Sequence, residues 1–378
     1  MSAFFEKYKK IRLEFHKIPE LAFTEKETTK LILSYLNNIP SFDSYANVFK
    51  TGDSGLIVTI PKDTLKHYIA FRADIDGLPI EEKSKCEVHS QHPHIMHACG
   101  HDSHITVMIA VIENIIQNIE QVIKGDFALK FIFQPAEEIG RGALEMINKY
   151  NVMTNVDEVY GIHNTCNIYL KQIGTTHGTM MSRVDKFNIK IHYDKEEEKS
   201  SAIVAGSNLV NLINQIKSEG TFAVTCFNTK TNNIIDIKGT LRALLNEPAI
   251  EFINKITSIA KAIEVCSNFK TEIDIKSTDA LINEKTCTDL IFKLNKENGY
   301  EINEFGLPAP SSDDFAFYLE KQKGCYFGFG IAETEEETKT NFVHSSTYNY
   351  NDNATLPIVN FLLILINNRL NINIKPIK

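Results

Sequence analysis

Three short apolar runs in this chain pass without a break into ionisable side chains. "HYIAFRADIDGLPI" (67–80) reaches Asp74 and Asp76, "FALKFIFQPAEE" (127–138) reaches Glu137 and Glu138, and "VDEVYGIHN" (156–164) reaches His163. Apolar runs of this length, bounded by turn residues, predict buried strands. An unpaired charge at the end of a buried strand is costly, so its repetition demands a partner. In open α/β folds, sites form in the crevice beyond the carboxyl ends of the strands. A strongly apolar helix is predicted over "ITVMIAVIENIIQNI" (105–119), between the first two strands. Strands alternating with helices predict an α/β fold on a mixed, mostly parallel sheet.

The stretch "HIMHACGHDSH" (94–104) adds His97, Cys99, His101, Asp102 and His104, and the predicted helix begins just after it. "SSDDFAFYL" supplies Asp313 and Asp314, and "FVHSS" supplies His344. Any one of these alone reads as a surface or satisfied core residue. Cys99 alone reads as a small buried apolar side chain, and Glu137-Glu138 alone as a solvated acidic turn. Their company changes the reading, because a cation offsets the cost of gathering carboxylates. Imidazole, carboxylate and thiolate together suit Zn, Mn, Co or Ni rather than Ca or Mg. No C-x-x-C pair closes a structural zinc site, and ligands drawn from distant loops predict a catalytic site with open positions. Neighbouring side chains point in different directions. One glutamate of the 137–138 pair can therefore bind an ion while the other takes a proton from water, whose pKa a bound ion lowers to about 7. The chemistry so predicted is amide hydrolysis.

From about residue 180 the texture changes. Phe187, Ile189, Ile191 and Tyr193 alternate onto one face, and β-α-β-β-α-β follows over about 100 residues. An inserted α+β domain is therefore expected at 179–285, within a discontinuous catalytic domain of 1–178 and 286–378. A chain of 378 residues suits two domains. The run "DKEEEKSS" (194–201) reads as a solvated turn. Residues 5–37 read as helical, interrupted at Pro19.

The formal net charge of −8 argues against a nucleic-acid-binding surface. No run of about 18 apolar residues predicts a membrane span. The charged first residues predict no leader peptide, and seven scattered cysteines predict no disulfide framework. Cytoplasm is the expected location.

"RADIDGLP", "MHACGHDSH", "FQPAEE", "GIHN", "SSDDFAFYL" and "FVHSS" occur in this order and spacing. In this the chain resembles the metal-dependent aminoacylase/hippurate hydrolase group of amidohydrolases, which includes N-acetyldiaminopimelate deacetylases. "FHKIPELAFTEKETT" (15–29) is similar to the group's H-x-x-PEL-x-x-x-E element. The resemblance covers nearly the whole chain. It implies a metallo-exopeptidase-like catalytic domain with an inserted lid and dimerisation domain, hence a homodimer or higher homo-oligomer. It also implies two divalent ions (Mn, Zn, Co or Ni), with Cys99, His101, Glu138, His163 and His344 as ligands and Cys99 bridging. Glu137 matches the general base, and Asp74 matches an active-site carboxylate. Asp76, Asp102, His97 and His104 are expected to support the centre, as are Asp313 and Asp314. The implied substrate is a small N-acyl amino acid of N-acetyl or N-benzoyl type.

One departure is clear. Relatives carry a Gly-Gly-His element just after the first strand of the inserted domain, and its histidine helps hold the substrate or the oxyanion. Here that stretch is "IHYDKEEEKSSAIVAGS" (191–207), without it. His192 and His177 are the nearby histidines, and either would replace it only by a shift of register or position. Losing one oxyanion donor typically costs about 10²–10³ in turnover. Two alternatives therefore stay open: a dipeptidase or exopeptidase, and a metal-containing binding protein with little catalysis.

Overall fold

A computed structural model describes residues 3–217, 219–231, 233–304 and 306–378. The chain divides into two compact units. The first runs up to Gly178 and continues in Asn283–Leu307 and Phe317–Lys378; the second is Thr179–Ile282 with Pro308–Ala316.

The first unit is built on an eight-stranded sheet. Its four central strands, Ala128–Gln134, Tyr68–Asp74, Val156–Tyr169 and Gly324–Ala332, lie side by side in that order and run parallel. Leu56–Ile60 flanks them antiparallel against Ala128–Gln134. Three of these strands, Leu56–Ile60, Ala128–Gln134 and Gly324–Ala332, are buried at every position, which explains their near-continuous apolar sequence. After Tyr68–Asp74 the chain places its next parallel strand on one side and the following one on the other. Such a reversal opens a crevice at the strands' carboxyl ends, and Asp74, the Gln134-Pro135-Ala136-Glu137-Glu138 turn and His163 all lie there.

Two expectations need adjusting. The helix His101–Gln117 starts inside the histidine cluster, not after it, so His101, Asp102 and His104 occupy its first turn. Val156–Tyr169 does not stop at His163. It pairs with Tyr68–Asp74 only as far as Gly161, while Gly324–Ala332 carries it on past His163. His163 is thus beyond the end of one neighbour though still within a strand. The N-terminal helical stretch is two helices, Ala3–His16 and Lys26–Asn37, with Pro19 between them. The first packs on His101–Gln117, as does the C-terminal helix Thr355–Leu370.

The second unit is a four-stranded antiparallel sheet in the order Lys270–Thr278, Arg183–His192, Ile234–Ala243, Thr221–Thr231. With the helices Lys199–Asn214 and Asn246–Ser267 it follows the β-α-β-β-α-β order. Phe187, Ile189, Ile191 and Tyr193 all enter its core. At Gly239 a Cβ would lie 2.2 Å from Phe187 Cζ and 2.6 Å from the Ala223 carbonyl, so only glycine lets the strands close there. The charged run is more than a solvated turn. Glu198 accepts from the backbone N–H groups of Asp194 (3.0 Å) and Lys195 (3.1 Å), closing the turn that enters the helix Lys199–Asn214. Pro308–Ala316, which the sequence reading leaves with the catalytic segments, joins this unit through backbone bonds. Ala309 N–H donates to Met180 O at 2.9 Å, and Ser182 N–H donates to Ala309 O at 3.0 Å. Among the described residues no helix is long and apolar enough to cross a membrane.

Candidate metal centre

The site begins with a backbone requirement. Gly100 has φ +81°, and a Cβ there would lie 2.3 Å from Tyr348 Oη and 2.4 Å from Asn164 Nδ2. Only glycine fits, and the turn it makes presents Cys99 on one side and His101 on the other. Asn164 Nδ2 donates to the Cys99 carbonyl at 2.6 Å, and Tyr348 Oη donates to Asn164 Oδ1 at 2.8 Å. His344 N–H donates to the Ala98 carbonyl at 2.8 Å. Three segments far apart in sequence are thereby tied together within the first unit.

The five residues expected as ligands converge. Cys99 Sγ lies 3.3 Å from His163 Nε2. Glu138 spans two groups: its Oε2 is 3.4 Å from His344 Nε2, and its Oε1 is 3.9 Å from His101 Nε2. Ligand atoms of Cys99, Glu138 and His344 all lie within 4.8 Å of one another, as do those of His101, Glu137 and Glu138. The histidine rings are oriented by carbonyl oxygens, which can only accept. His101 Nδ1 donates to the Asp76 carbonyl at 2.9 Å and His163 Nδ1 to the Asn164 carbonyl at 2.6 Å. Both rings then direct Nε2 at the cluster, the atom an ion would take.

His104 also lies in the cluster, but both of its nitrogens are used. Nδ1 donates to Asp74 Oδ1 at 2.5 Å, and Nε2 accepts from the Asn164 backbone N–H at 2.9 Å. Asp74 additionally takes the Arg72 guanidinium on Oδ2 at 2.5 Å. Asp76 Oδ2 accepts from the Glu138 backbone N–H at 3.0 Å, tying the two acidic loops together.

A divalent cation suits this donor set. His101 Nε2, Glu138 Oε1 and Asp76 Oδ1 are buried without a hydrogen-bond partner, a state that native proteins seldom tolerate without an ion or water. Burial, with the neighbouring His104, pushes His163 down to about 3, so its ring is the neutral form that ligates. At His101 burial acts downward but Asp74, Asp76 and Glu138 outweigh it and raise the ring to about 10, the mark of a surplus of negative charge around it.

Other expected residues are less direct. Asp102 turns away from the ligands to accept from Arg12 Nη1 at 3.0 Å and His16 Nδ1 at 2.8 Å. Burial pushes His16 down, but its bonds to Asp102 and Glu82 prevail and raise it to about 10. His97 is buried with neither ring nitrogen paired, and burial lowers it to about 4. Asp313 and Asp314 are buried in the second unit, where Asp313 Oδ1 accepts from the Phe315 N–H at 2.8 Å. His192 is paired with Glu272 at 3.4 Å and His177 with Asp289 at 2.7 Å. Residue patterning alone does not single out Arg12, Tyr348, Asn164 or Glu25. The signals were there, since His16 and Glu25 belong to the "HKIPELAFTE" stretch and Asn164 to "GIHN".

The sequence model of peptidase family M20/M25/M40 matches residues 70–368. The chain belongs to this family. It is thus a hydrolytic enzyme acting on amides. The N-acetyldiaminopimelate deacetylase of Ligilactobacillus salivarius is 28% identical over 343 residues, covering 85% of this chain and 88% of the relative. That of Pediococcus pentosaceus is 28% identical over 384 residues, covering 96% and 97%. Among solved structures, the YxeP protein of Bacillus subtilis superposes with a TM-score of 0.78 at 25% identity, over 98% of this chain and 99% of its own. It is described as a dinuclear metal-binding peptidase of the M20 family. The α/β catalytic fold with an α+β second unit is the architecture of these relatives, as the sequence predicts.

Proposed function

We propose that this chain hydrolyses the amide bond of N-acyl amino acids, with N-acetyl or N-benzoyl acyl groups and N-acetyldiaminopimelate within its range. The observation that carries this reading is a pair of buried ligand atoms without a hydrogen bond, His101 Nε2 and Glu138 Oε1, 3.9 Å apart beside Glu137. Relatives named as N-acetyldiaminopimelate deacetylases support it. Cys99, His101, Glu138, His163 and His344 would hold two divalent ions, Mn, Zn, Co or Ni. When bound, the ions supply Lewis acidity, polarising the scissile carbonyl and acidifying water.

Glu137 is the general base. Its carboxylate accepts a proton as water oxygen bonds to the acyl carbon, and returns that proton to the amine nitrogen as the C–N bond breaks. The products are a carboxylic acid and a free amino acid. Asp74 holds His104 and Arg72, and His104 in turn accepts from the Asn164 N–H, so Asp74 acts by keeping the His163–Asn164 backbone in register. Asp76 orients His101 and anchors Glu138. Asp102 fixes the start of the ligand-bearing helix through Arg12 and His16. The second unit serves as lid and self-association surface. Its edge strand Thr221–Thr231 pairs on one side only among the described residues, and Val204, Ile250 and Val265 are exposed.

The test is a substrate panel. Protein loaded with Mn or Zn is expected to release amine from at least one of a set of N-acetyl and N-benzoyl amino acids that includes N-acetyldiaminopimelate. Full ion loading with no release from any member would overturn the reading. One observation favours a second reading, a metal-containing binding protein. The stretch after Arg183–His192 is a charged helix entry without a Gly-Gly-His element, and His192 and His177 are both paired with carboxylates. Tight binding of N-acyl amino acids with no turnover dependent on Glu137 would select it.

A further inference from the structure

Ala136 separates the buried strand Ala128–Gln134 from the Glu137-Glu138 pair, and its φ is +56°. The left-handed region is disfavoured for any residue with a Cβ. Such strain persists only where the surroundings fix it, and it gathers at functional sites. Here the fixing groups are visible. The Ala136 carbonyl accepts from the N–H groups of Arg141 at 3.3 Å and Gly142 at 3.1 Å. Gly142 can be nothing larger, because a Cβ there would lie 1.7 Å from the Pro135 carbonyl. The Ala136 N–H donates at 2.8 Å to Glu25 Oε1, a side chain 111 residues earlier in the sequence.

Glu25 is fully buried, and its second oxygen, Oε2, has no hydrogen-bond partner. Burial, reinforced by the charge of Asp76, pushes its carboxyl up to about 7. Its backbone is itself held. The Glu25 carbonyl accepts from Thr29 N–H at 3.0 Å and Thr29 Oγ1 at 2.6 Å, and Thr29 Oγ1 accepts from the Gly55 N–H at 2.8 Å. The long-range bond of this carboxyl lands on the residue before Glu137. The residue after Glu137 is anchored by Asp76, which accepts from the Glu138 N–H at 3.0 Å. The two carboxylates bracket Glu137.

We infer that Glu25 is a positioning residue that clamps the left-handed turn at Ala136 and thereby aims Glu137 and Glu138. The inference rests on the reading in which Glu137 is the base. Its effect on rate follows from geometry, since a misplacement of about 1 Å can cost on the order of 10²-fold.

The test compares Glu25→Ala with Glu25→Gln in the full-length, ion-loaded protein. Four quantities are read: kcat and KM on the best substrate of the panel, retained Mn or Zn, and hydrogen exchange of the segment 135–142. Glu25→Ala is expected to lower kcat by about 10- to 100-fold with KM changed by less than about threefold, and to speed exchange at Ala136. Glu25→Gln keeps an oxygen for the Ala136 N–H and is expected to restore kcat to within about threefold of the unmodified chain. Unchanged kcat and exchange in Glu25→Ala would overturn the inference, as would equal losses of kcat in both variants. If the unmodified chain cleaves no substrate, the hydrolase reading fails. The clamp is then judged on exchange at Ala136 and ion retention alone: both must worsen in Glu25→Ala and recover in Glu25→Gln.

Discussion

The two units of this protein treat buried polarity differently. In the first, ligand-type atoms of Asp76, His101 and Glu138, and both nitrogens of His97, are buried without a hydrogen-bond partner around one crevice. In the second, the core is an apolar cluster from Phe187 to Ile263. Its buried Asp185 is engaged by Arg183 at 2.7 and 2.9 Å, and among the described residues the atoms of this unit buried without a hydrogen-bond partner are Asn188 Oδ1 and Asp236 Oδ1, on strands of its sheet. An unsatisfied buried group costs about 1–3 kcal/mol, more when charged. A fold carries several together only where something outside the chain completes them. In the second unit only two such atoms occur among the described residues, and neither belongs to a histidine or a cysteine.

That contrast can be broken by substitutions of decreasing effect. Glu137→Gln is expected to lower kcat by at least about 10²–10⁴-fold while leaving bound Mn or Zn unchanged, measured by steady-state kinetics and elemental analysis. Loss of the ions in this variant would place Glu137 among the ligands instead. Phe252→Ala tests the other unit. Phe252 is buried and packs on Phe222 with ring centroids 4.9 Å apart. Its removal is expected to cost about 3–5 kcal/mol in denaturant unfolding, with ion content in the native protein unaffected. A parallel fall in ion content would show that the two regions are not separable in this way.

The smallest effect is a slope against pH. His16 is raised from its ordinary 6.5 to about 10 by Asp102 and Glu82, acting against burial. A raised histidine contributes fully below pH 6.5 and loses its contribution as pH rises through its folded value. Stability of the unmodified chain is therefore expected to fall by about 1.4 kcal/mol per pH unit above neutrality, relative to His16→Gln. Parallel stability curves between pH 7 and 9 would remove His16 from the account.

Much of the first unit was legible in the sequence because its strands are buried on both faces and read as unbroken apolar runs. The candidate ligands Cys99, His101, Glu138, His163 and His344 stand out as types that bind transition metals, and the family resemblance is what selects this set from the other ionisable residues. Other features depend on contacts that no local pattern encodes. Nothing within "VDEVYGIHN" says that Gly324–Ala332 will carry the strand past His163. Glu25 stands just before a helix, where an acidic residue reads as a favourable charge near the helix start. Its bond to Ala136 appears only when the fold brings the two together. His97 was expected in a supporting role, and neither of its ring nitrogens makes a hydrogen bond. The separation of Pro308–Ala316 from its sequence neighbours follows from two backbone bonds of Ala309.

The central claim is that the crevice of the first unit holds two cations on Cys99, His101, Glu138, His163 and His344. Counting ions by elemental mass spectrometry after Mn or Zn loading and gel filtration tests it most directly, on the unmodified chain and on Cys99→Ala. The account predicts about two ions per chain, falling to one or none in the variant as the Cys99 thiolate is lost. A chain that retains no ion after loading, or a Cys99→Ala variant that retains both, would contradict it.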